Sequence, residues 1–139
     1  MVQEISKLRI VLDSNEYITF LNEQNPLLSK VFSKKEISVY ITDMIVSEVL
    51  RNVKTHMGKE FYRVIEKNKI LFYPGSSYYH LFKKYKDKGF KKGDIIIASF
   101  CEGVNAKYLI TENRHFLKSK IQDFQILSLE EFLKKLINL

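Results

Sequence analysis

The chain has one cysteine, two prolines and five glycines among 139 residues. The single Cys101 excludes an internal disulfide and any zinc cluster built from several cysteines. It lies in the apolar run IIIASFC, which favours a buried structural thiol over a nucleophile. So little proline and glycine leaves little room for linkers or disorder. No internal repeat is present, and one lysine-rich stretch is the only low-complexity tract. The longest apolar runs fall well short of the ~20 residues a membrane span needs. The opening MVQEISKLRIVLD has no long apolar core behind a basic flank, so no signal peptide is expected. These absences predict a cytoplasmic protein without membrane association. One domain, residues 1–139, is the expected organisation, long enough to bury a core without staples.

What is present is an ordinary globular balance, 45% apolar and 28% charged, with a net charge of +7 and a pI near 9.4. A basic balance favours a polyanionic partner, nucleic acid being the commonest.

The apolar run LRIVL, Leu8 to Leu12, reads as a buried strand of a parallel sheet. Asp13, Ser14 and Asn15 then cap a helix containing Tyr17, Ile18, Phe20 and Leu21. A short helix follows around Leu28 and Phe32. Ile37 to Ile41 is a second strand, and Thr42 is an N-cap for a helix through Val53 with helical apolar spacing. Another helix carries Phe61, Val64 and Ile65. Ile70 to Tyr73 is a short strand stopped by Pro74 and Gly75. Ser76 or Ser77 is expected to cap a helix with Tyr78, Tyr79, Leu81, Phe82 and Tyr85. Gly93 and Asp94 open the segment IIIASFCEG, read as a helix, although three isoleucines also suit a strand. Lys107 to Thr111 and Phe124 to Leu127 are the last strands. Ser128 and Glu131 form a capping box for a terminal helix. Strands alternating with helices predict an α/β domain around a parallel sheet.

In such sheets, sites form beyond the carboxyl ends of the strands. Asp13 follows the first strand, and Thr111 to Asn113 follow the fourth. Glu48 lies in the second turn of the helix after strand two, and Asp94 starts the helix before strand four. Each has a plain alternative. Asp13 and Asp94 suit helix capping, Glu48 suits a solvated helix surface, and Asn113 suits a turn. Together they carry more information. Clustered carboxylates repel one another and persist where a cation sits between them. A hard divalent ion, magnesium or manganese, takes oxygen ligands and promotes attack on phosphoryl groups. With the basic charge, the set points to phosphodiester hydrolysis.

RIVLDSNEYI resembles the opening of PIN domains: a hydrophobic strand, Asp, a hydroxyl residue, then Asn. SEVL, with Glu48, resembles their second motif. GDIIIASFCEGVNAKYLITENRHF resembles the third and fourth motifs, with Asp94 opening a helix, Ala98 as its small residue, and Thr111 two before the last acidic position. The likeness runs from about Leu8 to Leu127. It implies a three-layer α/β/α fold around a parallel sheet of about five strands. It also implies metal-dependent ribonuclease activity on RNA, with magnesium or manganese as cofactor and 5′-phosphate products. Toxins of toxin–antitoxin pairs are common in the family, so a protein antitoxin and a homodimer are implied partners.

Matched residue by residue, Asp13, Glu48, Asp94 and Asn113 take the catalytic and metal-ligating positions. Asn113 departs from an acid there, since an amide oxygen can ligate magnesium but brings no charge. Asn113 is expected inward and Glu112 peripheral. Ser14 and Thr111 could orient a carboxylate or water, and Asn15 is expected to brace the loop by backbone hydrogen bonds. Arg114 and His115 are candidates for phosphate contact. His115 is also read as a general acid or as a surface or packing residue. KKYKDKGFKK, residues 83 to 92, holds six lysines with Tyr85 and Phe90 interleaved. It suits either a solvated helix end or RNA contact through Lys88, Lys91 and Lys92, with aromatics stacking on bases. The rival function is a PIN domain that has lost catalysis and only binds RNA. A receiver domain wants paired acids near its first strand, and a haloacid-type phosphatase wants Asp-x-Asp, so both fit poorly.

Overall fold

The computed structural model describes residues 7 to 137, apart from the side chain of Ile137. MVQEIS, the first part of the segment on which the signal-peptide expectation rests, lies outside those residues. Five parallel strands form one sheet in the order β3-β2-β1-β4-β5. They are β1 (Leu8–Leu12), β2 (Ile37–Ile41), β3 (Leu71–Phe72), β4 (Tyr108–Ile110) and β5 (Gln125–Leu127). Helices cover both faces in three α/β/α layers, the PIN-like arrangement. The central strand shows why its sequence is apolar without alternation: Ile10, Val11 and Leu12 are all fully buried. The edge strand β3 leaves Leu71 and Phe72 exposed.

The helices are α1 (Ser14–Leu21), α2 (Leu28–Phe32), α3 (Asp43–Asn52), α4 (Met57–Lys67), α5 (Phe82–Asp87), α6 (Lys92–Gly103), α7 (Arg114–Leu117) and α8 (Leu129–Ile137). No helix among the described residues is long and apolar enough to cross a membrane. The capping box forms as expected at α8, with the Ser128 N–H donating to Glu131 Oε1 at 3.1 Å and the Glu131 N–H donating to Ser128 Oγ at 3.1 Å. IIIASFCEG is helical, and burial of Ile97, Ala98, Phe100 and Cys101 outweighs the poor propensity of three isoleucines.

The stretch after β3 departs from expectation. One helix over Tyr78 to Tyr85 is replaced by a 3₁₀ segment, Gly75–Leu81, followed by α5. Neither Ser76 nor Ser77 caps it; Pro74 holds the N-cap position. Tyr78 breaks the helical geometry (φ −114°, ψ 24°) because its ring packs edge-on to Phe100 and against Gly103 of α6. Side-chain packing against α6 overrides the local helical pattern. Cys101 is buried, and burial raises its thiol well above the ordinary value, consistent with a structural role.

The chain runs outward from β1 to β3, then returns to the other side of β1 as β4 and β5. The order therefore reverses between β1 and β4, the topological switch point where open α/β sheets place ligands.

Candidate functional site

Parallel pairing makes the first juxtaposition. Leu12 lies beside Ile110 in register, so the next residues, Asp13 and Thr111, emerge side by side. The Asp13 N–H donates to the Ile110 carbonyl at 2.9 Å and the Thr111 N–H to the Leu127 carbonyl at 2.9 Å. The buried Thr111 hydroxyl then donates to Asp13 Oδ2 at 2.6 Å, and the Ser14 N–H donates to Asp13 Oδ1 at 2.8 Å. Asp13 thus caps α1 and also faces the switch point. The Ser14 hydroxyl donates to Glu48 Oε2 at 2.6 Å, tying α1 to α3.

Asp94 reaches the same place from the first turn of α6. That helix opens with Lys92 in the left-handed region (φ 39°), a conformation costly for a side chain. Asp13, Ser14, Asn15, Glu48, Asp94, Glu112 and Asn113 line one cleft of about 360 Å³, with Ile97 as its apolar wall. The three acids assigned to the motifs therefore meet, although 81 positions separate the first from the last.

Their charges are only partly compensated. Burial raises the Asp13 carboxyl above its ordinary value; hydrogen bonds from Thr111 and Ser14 oppose this, and the charge of Glu48 adds to it. Burial also raises Asp94, with the charges of Asp13 and Glu48 in the same direction and His115 opposing. The charge of Glu48 makes Asp13 and Asp94 harder to ionise, as the charge of Asp13 does for Asp94, a strain that a cation would relieve. All donors are oxygens, which suits magnesium or manganese rather than zinc or copper. Among the described residues, no three His, Cys, Asp or Glu side chains are gathered closely enough to hold an ion as they stand. The oxygen donor chemistry of the cleft is that of such an ion.

The two residues after Thr111 each have a structural partner. Asn113 caps α7: its Oδ1 accepts from the His115 N–H at 2.9 Å, and its own N–H donates to Thr111 Oγ1 at 3.0 Å. Glu112 Oε1 accepts from the Leu129 N–H at 3.2 Å, at the start of α8, where backbone N–H groups favour a negative charge. Asn15 stands exposed at the rim, and its side chain braces no loop among the described residues. Arg114 and His115 are exposed on α7, with His115 edge-on to Phe90 at 5.7 Å.

The lysine-rich stretch divides. Lys83 pairs with Asp87 at 2.9 Å, while Lys84 bridges Glu102 at 2.6 Å and Asp123 at 2.8 Å. Lys86, Lys88, Lys91 and Lys92 are exposed and form no ion pair among the described residues. The reading of Tyr85 and Phe90 as stacking surfaces fails. Both are core residues, 0% and 5% exposed, packed on each other, and the Tyr85 hydroxyl donates to Glu102 at 2.7 Å.

One residue was missed from the sequence. Glu16, only 3% exposed, lies beside Glu112, and its Oε1 has no hydrogen-bond partner. Burial, then the charges of Glu112 and Asp13, push its carboxyl up to about 8. A weak signal existed, since Glu16 is three residues after Asp13 in a helix that is otherwise largely apolar.

No family model matches the chain, and no curated protein sequence matches it. Among solved structures, a chain of VapBC2 from Rickettsia felis, bound to a DNA fragment from their promoter, is similar to this one with a TM-score of 0.62. Identity is 18%, and the match covers 86% of this chain and 97% of that one. At that identity the likeness extends to the fold: the chain shares its α/β/α arrangement with that protein.

Proposed function

We propose that this chain is a PIN-domain endoribonuclease that hydrolyses RNA phosphodiesters with magnesium or manganese, as the toxin of a toxin–antitoxin pair with a protein antitoxin. The observation that carries the proposal is the convergence of Asp13, Glu48 and Asp94 at the β1–β4 switch point, where the charge of Glu48 raises both aspartates. The similarity in fold to a VapBC2 chain supports it. Asp13, Glu48 and Asp94, with the Asn113 amide oxygen, would hold the ion. When bound, it supplies polarisation of a phosphoryl oxygen and a more acidic water. The protein's own part is positioning. Thr111 and the Ser14 N–H fix the Asp13 carboxylate, and the Ser14 hydroxyl fixes Glu48. Lys88, Lys91, Lys92, Arg114 and His115 are assigned to phosphate contact, on the strength of their exposure and of their place in the chain beside Asp94 and Asn113.

The test is incubation of a mixed, structured RNA pool with magnesium, manganese or EDTA, comparing wild type with Asp94→Asn. The expected result is metal-dependent cleavage leaving 5′-phosphate ends, reduced about 100-fold or more in the variant. Products with 2′,3′-cyclic phosphates would point to a different chemistry. The capping of α7 by Asn113 Oδ1 favours one second reading, an RNA-binding domain without catalysis. RNA retention without cleavage under any metal would select it.

A further inference from the structure

Glu16 of α1 does not line the acid cleft, yet it is only 3% exposed. Its Oε1 is the one buried carboxylate oxygen left without a hydrogen-bond partner among the described residues. The contrast with Asp13 is direct, because there the Ser14 N–H and the Thr111 hydroxyl each hold one oxygen. A buried carboxylate is costly until a positive group or a donor answers it. The neighbours of Glu16 add to that cost. Glu112 and Asp13 are the charges that act on it, and its carboxyl lies within hydrogen-bonding reach of the Glu112 carboxyl. Neither Glu16 nor Glu112 forms an ion pair among the described residues. Glu112 is held on one side only, where its Oε1 accepts the Leu129 N–H at 3.2 Å. It is exposed and lines the acid cleft, so solvent and ions reach the pair through it.

We infer that Glu16 and Glu112 form a divalent-cation clasp, separate from the set of Asp13, Glu48 and Asp94, in which a magnesium- or manganese-class ion bridges the two carboxylates and fastens α1 to the turn between β4 and α7. The clasp goes beyond the nuclease reading and stands whether or not the domain cleaves RNA. Its donors are all oxygens, the preference of a hard ion. Such an ion is commonly held by one or two carboxylates and keeps several waters, which the exposed side of Glu112 accommodates. A water donating to Glu16 Oε1 would satisfy that oxygen and leave the repulsion from Glu112 and Asp13 in place, whereas a dication removes both penalties. In the metal-free chain a proton on Glu16 is the competitor, and it passes to solvent when the ion binds.

The test counts manganese on the full-length chain at pH 8, where the proton competes less, by titration calorimetry and by the paramagnetic resonance of free manganese, with no RNA present. Wild type is expected to take up one ion at the clasp, besides any ion held by Asp13, Glu48 and Asp94. Glu16→Gln and Glu112→Gln should each lose the clasp ion, and Asp94→Asn should keep it. Saturating manganese should raise the melting temperature of the wild type, and that rise should shrink in Glu16→Gln. Melting of the metal-free variants separates lost binding from lost fold. Should Glu16→Gln fail to fold, Glu112→Gln decides, since its amide oxygen can still accept the Leu129 N–H. Equal uptake and an equal melting shift in wild type and in the folded Gln variants overturn the clasp and leave the nuclease reading standing. Uptake that is lost in Glu16→Gln but survives Asp94→Asn upholds the clasp even where no RNA is cut. No uptake of manganese by the wild type overturns the clasp, and with it the metal chemistry proposed for the acid cleft.

Discussion

Replacing Glu16 by Gln should stabilise the metal-free protein, and should do so increasingly as pH rises. The Glu16 carboxyl is buried beside Glu112, with one oxygen unpartnered, and titrates near 8 rather than at its ordinary 4.5. Below pH 4.5 the folded and unfolded chains both hold the proton, so the group contributes nothing to pH dependence. Between 4.5 and about 8 the unfolded chain releases a proton that the folded chain retains, and stability falls throughout that window. Each tenfold change in proton affinity is worth ~1.4 kcal/mol, which sets an upper bound of about 5 kcal/mol. Relaxation and solvent at a buried site reduce this, so about 2 kcal/mol is expected from Glu16. The amide keeps the shape, cannot ionise, and can donate to Glu112. Urea unfolding of both proteins at pH 5, 7 and 9, without divalent ions, measures the difference. The Gln variant should gain on wild type by about 2 kcal/mol from pH 5 to 9. Stability curves that stay parallel across that range would rule out a buried Glu16 that holds its proton.

Thr111→Val removes the hydroxyl that donates to Asp13 at 2.6 Å and accepts from the Asn113 N–H at 3.0 Å. Metal affinity, read by calorimetry with manganese, should fall about 10- to 100-fold if Thr111 orients a ligand. An unaltered affinity would remove it from the site. Gly103→Ala drives a methyl into the Tyr78 ring, and the melting temperature should drop by the equivalent of about 1–3 kcal/mol. Adding Tyr78→Ala should recover part of that drop, whereas strictly additive effects would show that the clash is not its cause. Replacing Lys88, Lys91 and Lys92 together by Ala should flatten the salt dependence of RNA binding by about 0.7 for each phosphate these lysines neutralise. An unchanged slope would return them to a solvated surface.

The sheet and the address of the site are legible in the residues alone. LRIVL, interrupted only by Arg9, and the β-branched and aromatic ISVYI read as strands of a covered sheet, because runs largely apolar on both faces need cover on both faces. Asp13 and Thr111 directly follow strands, so the carboxyl edge that joins them follows from chain order. The spacing of Glu48 and Asp94 in the motifs adds the other two acids. Folding settles the rest, where residues distant in sequence compete for the same space. Glu16 reads as a favourable acid in the first turn of a helix; the carboxylate that shifts it most, Glu112, lies 96 residues later. Tyr85 and Phe90 share a lysine-rich stretch, which suggests solvent, yet their packing partners include Phe124 and Phe116 from beyond β4. Asn113 sits at an acidic position of the motif, but only α7 beside it shows that its oxygen accepts a backbone N–H. Local pattern records propensity and periodicity, while burial and hydrogen-bond partnership depend on segments that meet only when the chain is folded.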